Sequence, residues 1–454
     1  MTRAQRRTEA AKGPLVRIAG LSAAFLTSNV VRGVIAFGLS LVIGRALGVD
    51  RFGRWILCTT WASTLTVVVD LGFGVLLTRD GARDGASHER LIAGALAARL
   101  ALAIPLAAAL VAAAGFFAHD SESAAGLRLA ALVGVAGAVY GCFGALFRSQ
   151  PRWVPTILAA EGAWAAVQLG AAWLIVRSGS GISALLILMT AVQLAQIATG
   201  AVLWRAAFAA ESIAWPTRSE IVALVRRALP FAAAGLVANL QTRVAPLLLG
   251  YLSTEAELGA FAAAARFGTL ARLAPGAVFA GALPVLSGEF ATDRASGART
   301  RAAFDRALTV FAVAAALPLI LAAAPLVRIV YGASFAAAAP ALIWIGVALV
   351  PALTNSARKI ALYAVDAEAT AVAWSALALA VQGVAVAALV PSAGAAGAAA
   401  GLALGEIVIW IPLWRAARLR DTSARSAAPS SPRRASSPTP ERWSRSASAA
   451  PDRG

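Results

Sequence analysis

The sequence predicts an all-α polytopic membrane protein, with about twelve transmembrane helices in two six-helix halves around a central cavity. Three observations carry that prediction. Mean hydropathy is +0.75 and 59% of residues are hydrophobic, while only 14% are charged; soluble domains lie nearer half apolar and one quarter charged. The apolar residues fall in blocks of about twenty, the length that crosses a hydrocarbon core. A motif from the first half also recurs in the second.

Taken in order, the blocks place spans at 21–43, 55–77, 91–115, 128–147, 154–176, 182–204, 228–250, 258–283, 305–327, 336–356, 362–389 and 394–414. Charge tests the layout, because cytoplasmic loops collect Lys and Arg. With the N-terminus inside, the cytoplasmic segments before the tail hold twenty basic residues. The outer loops hold six: Arg45, Arg51, Arg54, Arg128, Arg177 and Arg328. The asymmetry puts both termini in the cytoplasm. It also accounts for the net charge of +18, which in a soluble chain would suggest nucleic acid; no nucleic-acid partner is expected.

The division that follows is a basic leader (1–20), an N-terminal half (21–204), an inter-half linker (205–227), a C-terminal half (228–414) and a tail (415–454). The leader runs into a full-length span without a small-residue cleavage site, unlike a removable signal peptide. The tail is rich in Ser, Pro and Arg, a composition that buries no core and predicts disorder. Its cations suit the anionic inner leaflet. Cys58 and Cys142 lie within spans and form no external disulfide framework. Trp55, Trp153, Trp204 and Trp414 sit near span ends and read as interfacial anchors.

The repeat is LSLVIGRALGVDRFG (Leu39 to Gly53) against APLLLGYLSTEAELG (Ala245 to Gly259). Gly44 matches Gly250 and Gly53 matches Gly259, both at an offset of 206 residues. Six spans per half is an even number, so the halves enter from the same side and an axis along the membrane normal relates them. Transporters built this way bind substrate between the repeats.

GRALGVDRFG followed by DLGFGVLLTRDGAR (Asp70 to Arg83) resembles the first hairpin of Wzx-type polysaccharide flippases, members of the multidrug/oligosaccharidyl-lipid/polysaccharide exporter superfamily. LVRRALPFAAAGLVANLQTRVAPLLLGYLSTEAELGAFAAAARF resembles their seventh and eighth spans. VRIVYGASFAAAAPAL resembles the ninth-to-tenth connection, and VPSAGAAGAAAGLALGE a glycine-rich turn before the last span. The similarity covers about residues 18–414. Ala245 stands where many relatives carry Asp, and Phe261 where many carry Tyr. The resemblance implies a carrier without cofactor in the bacterial inner membrane. Its substrate would be a polyprenyl-pyrophosphate-linked glycan, moved to the outer leaflet by alternating access. Membrane lipids, a polysaccharide polymerase and glycosyltransferases would be its partners.

Five arginines lie within spans: Arg32, Arg99, Arg243, Arg266 and Arg272. Each costs at least about 2.5 kcal/mol near mid-membrane, so such residues usually face a wet cavity or a partner. Asn239 and Arg243, four apart, share a helix face, as do Asn29 and Arg32 on the first span. At 1.5 Å rise per residue, Arg32 lies about 18 Å and Arg243 about 10 Å from the outer turn. Guanidinium groups bind paired phosphate oxygens bidentately. Arg32, Arg243, Arg266, Arg272, Asn29 and Asn239 are therefore the candidate lining of a cationic cavity. The alternative is snorkelling, or ion pairing with Asp70, Glu161 or Glu406, the carboxylates available for ion coupling. Arg99 lies nearer the cytoplasmic side, where snorkelling is expected. Arg79, ending LTRD, reads as a topology anchor.

Rival readings are a cation-coupled multidrug exporter, a polytopic glycosyltransferase or polymerase, and an envelope scaffold. An exporter of cations would favour an acidic or apolar cavity. The enzymes generally need a sizeable outer loop with catalytic groups, and AHDSESAAG offers only Asp120 and Glu122. No HExxH, GxSxG, P-loop or DxD-like motif occurs.

Overall fold

A computed structural model describes residues 14–83, 87–208, 216–292 and 294–422. Most of the leader and of the tail fall outside the described residues; within them, helix already begins at Pro14 and runs on to Thr422. The helices are α1 (Pro14–Asp70), α2 (Phe73–Gly81), α3 (His88–Phe117), α4 (Ser121–Arg148), α5 (Val154–Arg177) and α6 (Ile182–Phe208). The second half has α7 (Arg218–Gln241), α8 (Val244–Leu252), α9 (Glu255–Thr292), α10 (Arg294–Leu321), α11 (Ala323–Val330), α12 (Ala338–Tyr363) and α13 (Glu368–Thr422). No strand occurs among the described residues.

Eight of these helices are long and apolar enough to cross a membrane by themselves. Two of them, α1 and α13, turn over at Gly48 (φ 76°) and Gly394 (φ 49°) and so cross twice. Positive φ is open to glycine at little cost. The Glu257 carboxylate accepts the Ala395 N–H at 2.6 Å, holding the second turn. With α7/α8, α9 and the short continuations α2 and α11, the chain makes the twelve crossings of its fold class.

Every crossing runs between two ends. One end carries Gly53, Asp120, Glu255 and Tyr331; the other carries Asp80, Arg148, Arg227 and Arg299. We call them the glycine end and the arginine end. At the glycine end the repeat becomes a contact. A Cβ built on Gly53 would lie 1.7 Å from the Glu255 carbonyl oxygen, and one on Gly259 would lie 2.2 Å from the Val49 carbonyl oxygen. Val49 and Glu255 obey the same 206-residue offset, so the two halves touch backbone to backbone about a pseudo-two-fold axis. Beside this contact, Phe52, Phe267, Tyr331 and Phe335 form an aromatic cluster with centroids 5.1–6.1 Å apart. Between helices in lipid the hydrophobic drive is absent, and close van der Waals packing of small residues holds them instead. The glycine pair supplies that packing.

At the arginine end a different chemistry joins the halves. Asp80, 4% exposed, pairs with Arg79, Arg83 and, across the interface, Arg227 of α7. The Arg79 guanidinium lies 4.9 Å from the Phe231 ring centroid.

Several expectations are corrected. The span expected at 228–250 is broken: α7 ends at Gln241 and α8 starts at Val244. The span expected at 128–147 starts earlier, at Ser121, because Asp120 caps it by accepting the Ser123 N–H at 2.7 Å. The span expected at 336–356 continues to Tyr363. Trp55 and Trp204 are buried at 4% and 5% exposure instead of anchoring at a lipid surface. Arg99 does not snorkel. It is 2% exposed, pairs with Asp70 and donates to the Ala138 carbonyl at 2.9 Å. Gly141 leaves the room: a Cβ there would stand 2.6 Å from Arg99 Nη1.

Candidate functional site: two chambers between the halves

Two chambers share a wall between the halves. The N-side chamber, of about 630 Å³, is bounded by α1, α4, α5 and α6, and Arg243 reaches it from the second half. The C-side chamber, of about 770 Å³, lies among α1, α7, α9, α12 and α13. Ala36, Leu39, Thr59, Ser63 and Met189 line both. A third recess of about 600 Å³ opens from the N-side chamber at Val67 toward the arginine end.

In the N-side chamber the cations are engaged. Glu161 on α5 is 5% exposed. It accepts from Arg32 at 2.5 Å, from Arg148 at 3.2 Å and from the Tyr140 hydroxyl at 3.2 Å. A buried carboxylate between two guanidiniums is the arrangement that keeps charge tolerable away from water. Arg243 occupies the break after α7. Its Nη1 donates to the Asn239 carbonyl at 3.0 Å, to Asn239 Oδ1 at 3.3 Å and to Thr242 Oγ1 at 3.1 Å. A helix C-terminus leaves carbonyls without partners and carries partial negative charge, and Arg243 answers both. The rest of the wall is neutral and polar, with Asn29, Gln168, Gln193 and Gln196.

In the C-side chamber three cations share the field of one carboxylate. Arg266 and Arg272 of α9 and Lys359 of α12 line it. Among the described residues none of the three makes an ion pair or hydrogen bond. One carboxylate, Glu406 of α13, faces the same space and is held by Asn355 Nδ2 at 2.9 Å. The Gln241 carbonyl in this wall accepts from Gln382 at 2.9 Å.

Arg32, Arg243, Asn29 and Glu161 thus meet in one chamber, and Arg266, Arg272 and Glu406 in the other. Asp70 and Asn239 line the third recess with Arg79 and Arg148. Sequence reasoning missed Lys359, which lies beyond the span expected at 336–356. Leu349, Leu353, Ala357 and Ala361 recur every four residues and are all buried, a spacing that carries the helix past residue 356. Arg358 is also inside the bundle, 6% exposed, donating to the Trp410 carbonyl at 2.9 Å and lying 3.5 Å from Asp305.

Buried clusters, a pseudo-two-fold seam and polar chambers at that seam define a two-lobed helical membrane protein. Comparison with known proteins agrees. The family model described as polysaccharide biosynthesis protein matches residues 22–290, and the chain belongs to that family. No curated protein matches it. Among solved structures it is similar to an inward-facing multidrug resistance MATE family transporter of the MOP superfamily. That pair has TM-score 0.72 and 12% identity, covering 87% of this chain and 96% of that one. It is similar to the lipid II flippase MurJ in an inward closed conformation, with TM-score 0.70 and 13% identity over 88% of each chain. An outward-facing MATE family transporter superposes less closely, with TM-score 0.59 and 14% identity, covering 90% and 96%. These neighbours are transporters and a flippase, not enzymes. The chain is a multi-pass membrane protein with the transporter fold of the MOP superfamily.

Proposed function

We propose that the protein flips a polyprenyl-pyrophosphate-linked oligosaccharide from the cytoplasmic to the outer leaflet of the bacterial inner membrane, for cell-surface polysaccharide export. The observation that supports this reading most is the pair of chambers at the seam between halves, lined by four in-span arginines and Lys359 against two carboxylates, Glu161 and Glu406. A diphosphate head group is dianionic or more and suits guanidinium forks. A cationic drug would be repelled, which disfavours the multidrug-exporter reading.

In this reading the arginine end and both termini face the cytoplasm, in keeping with the positive-inside bias. The glycine end is the closed outer gate. Residues 21–204 and 228–414 rock as two bodies about the seam, and the head group crosses while the prenyl chain stays in lipid. The polymerase and glycosyltransferases of the same pathway are its partners. Glu161 is the best-placed coupling carboxylate, because a proton there would release both Arg32 and Arg148. Asp70 is committed to Arg99 and Glu406 to Asn355.

The test is transfer of a chemically trapped polyprenyl-pyrophosphate sugar in proteoliposomes. Wild type moves it. Arg32→Ala and Arg243→Ala insert normally and move it at about one tenth of that rate or less, because Glu161 loses a charged partner in the first and the end of α7 loses its bonded cation in the second. Normal rates in both variants would make these arginines structural, and no transport by wild type would overturn the substrate class.

A further inference from the structure

The chambers differ in a way that divides one substrate between them. We infer that the C-side chamber is a diphosphate subsite formed by Arg266, Arg272 and Lys359, and that the neutral N-side wall takes the glycan. This rests on the proposed function and sharpens it.

The first step concerns free charge. An incoming anion gains little from a guanidinium already bound to a carboxylate, because it must displace that carboxylate. Arg32 and Arg148 both hold Glu161, and Arg243 is bonded to the end of α7. Arg266, Arg272 and Lys359 face open space with no bonded partner among the described residues. Glu406 stands near them, leaving the chamber an excess of two positive charges, a match for a diphosphate diester.

The second step concerns geometry. Arg266 and Arg272 lie six residues apart on α9, about 9 Å along the axis, and Lys359 faces them from α12. Two planar forks and a point donor from opposite walls can grip the oxygens of two linked phosphates. A cavity of about 770 Å³ has room for such a group. The third step concerns the neighbour. Across the shared wall, Asn29, Gln168, Gln193 and Gln196 present amides in the N-side chamber. Amides both donate and accept, as sugar hydroxyls do.

The experiment measures binding to the full chain in lipid nanodiscs with two probes, inorganic pyrophosphate in water and a polyprenyl pyrophosphate in the bilayer. Arg272→Gln and Lys359→Gln should each weaken both probes about tenfold or more, the cost of one charge-assisted contact. Lys359→Arg should bind within about twofold of wild type, which separates charge from folding. Arg32→Gln should change affinity less than about threefold. A larger loss in Arg32→Gln than in the C-side variants would overturn the subsite while leaving the flippase reading intact. Inorganic pyrophosphate bound at these residues without the lipid form would refute the flippase reading and keep an anion site. Neither probe binding wild type would overturn both.

Discussion

The two chambers are built from the same material, polar groups on apolar helices, yet they are opposite in electrostatic state. On the N side Arg32 is tied to Glu161, which also engages Arg148 of the adjoining recess, and Arg243 is bonded to the end of α7. On the C side three cations line the cavity with one carboxylate, Glu406, which is itself held by Asn355. The difference teaches that counting arginines within spans does not locate an anion site. What locates it is the balance of charge within a chamber: three cations against one carboxylate on the C side leave an excess that an anion can neutralise.

The change expected to act most strongly removes the comparison altogether. Gly53→Ala sets a methyl group where the Glu255 carbonyl oxygen already lies. Overpacking of this kind costs about 1–3 kcal/mol, so the glycine end should no longer close. Transport should fall about tenfold or more, with equal loss for any substrate, while binding to both chambers persists. Retained transport in proteoliposomes would show that the seam is not a moving gate.

Next comes Glu161→Gln, which should make the chambers alike. It removes the resident anion and frees Arg32 and Arg148. Diphosphate binding should tighten roughly fivefold, and Lys359→Gln should matter less in that background, because the N side can now substitute. Unchanged affinity, read in the same nanodisc titration, would show that Arg32 remains unavailable for another reason.

The smallest effect lies outside both chambers and serves as their control. Asp120 caps α4 at the glycine end. Burial alone would raise its carboxyl pKa, but the Ser123 amide and hydroxyl and the Arg54 guanidinium together hold it below the ordinary value. A depressed carboxylate contributes stability above its unfolded pKa and loses that contribution as pH falls through the folded value. Asp120→Ala should therefore cost about 1 kcal/mol at neutral pH and less in acid, by thermal unfolding in detergent. Neither probe's affinity should move. A shift in pyrophosphate binding would couple the glycine end to the chambers.

The twelve crossings were legible because apolar length is set by the bilayer, and the seam because Gly44, Gly53, Gly250 and Gly259 repeat at one offset. The structure turns that repeat into the Gly53–Gly259 contact. The individual lining residues were legible too, since a charge within a span signals a cavity or a partner. Which of these it signals was hidden. Arg32 and Glu161 are 129 residues apart, Arg227 and Asp80 147, and no local pattern reports a pairing made by tertiary packing. Lys359 was hidden for another reason. Its neighbours Asn355 and Arg358 are polar because they bond to α13 inside the bundle, and polar residues at a span end read as a loop. The break after Gln241 escaped notice because apolar length is indifferent to a helix that stops and restarts within lipid.

The most direct measurement is a photo-crosslink. A polyprenyl-pyrophosphate sugar would carry one diazirine beside the diphosphate and, in a second version, one on the terminal sugar. Each would be irradiated with the full chain in nanodiscs and the adduct mapped by mass spectrometry. The account predicts diphosphate adducts on α9 and α12 around Arg272 and Lys359, and sugar adducts on α5 and α6 around Gln168 and Gln193. Diphosphate adducts on α5 beside Glu161, with sugar adducts on α9 or α12, would contradict it.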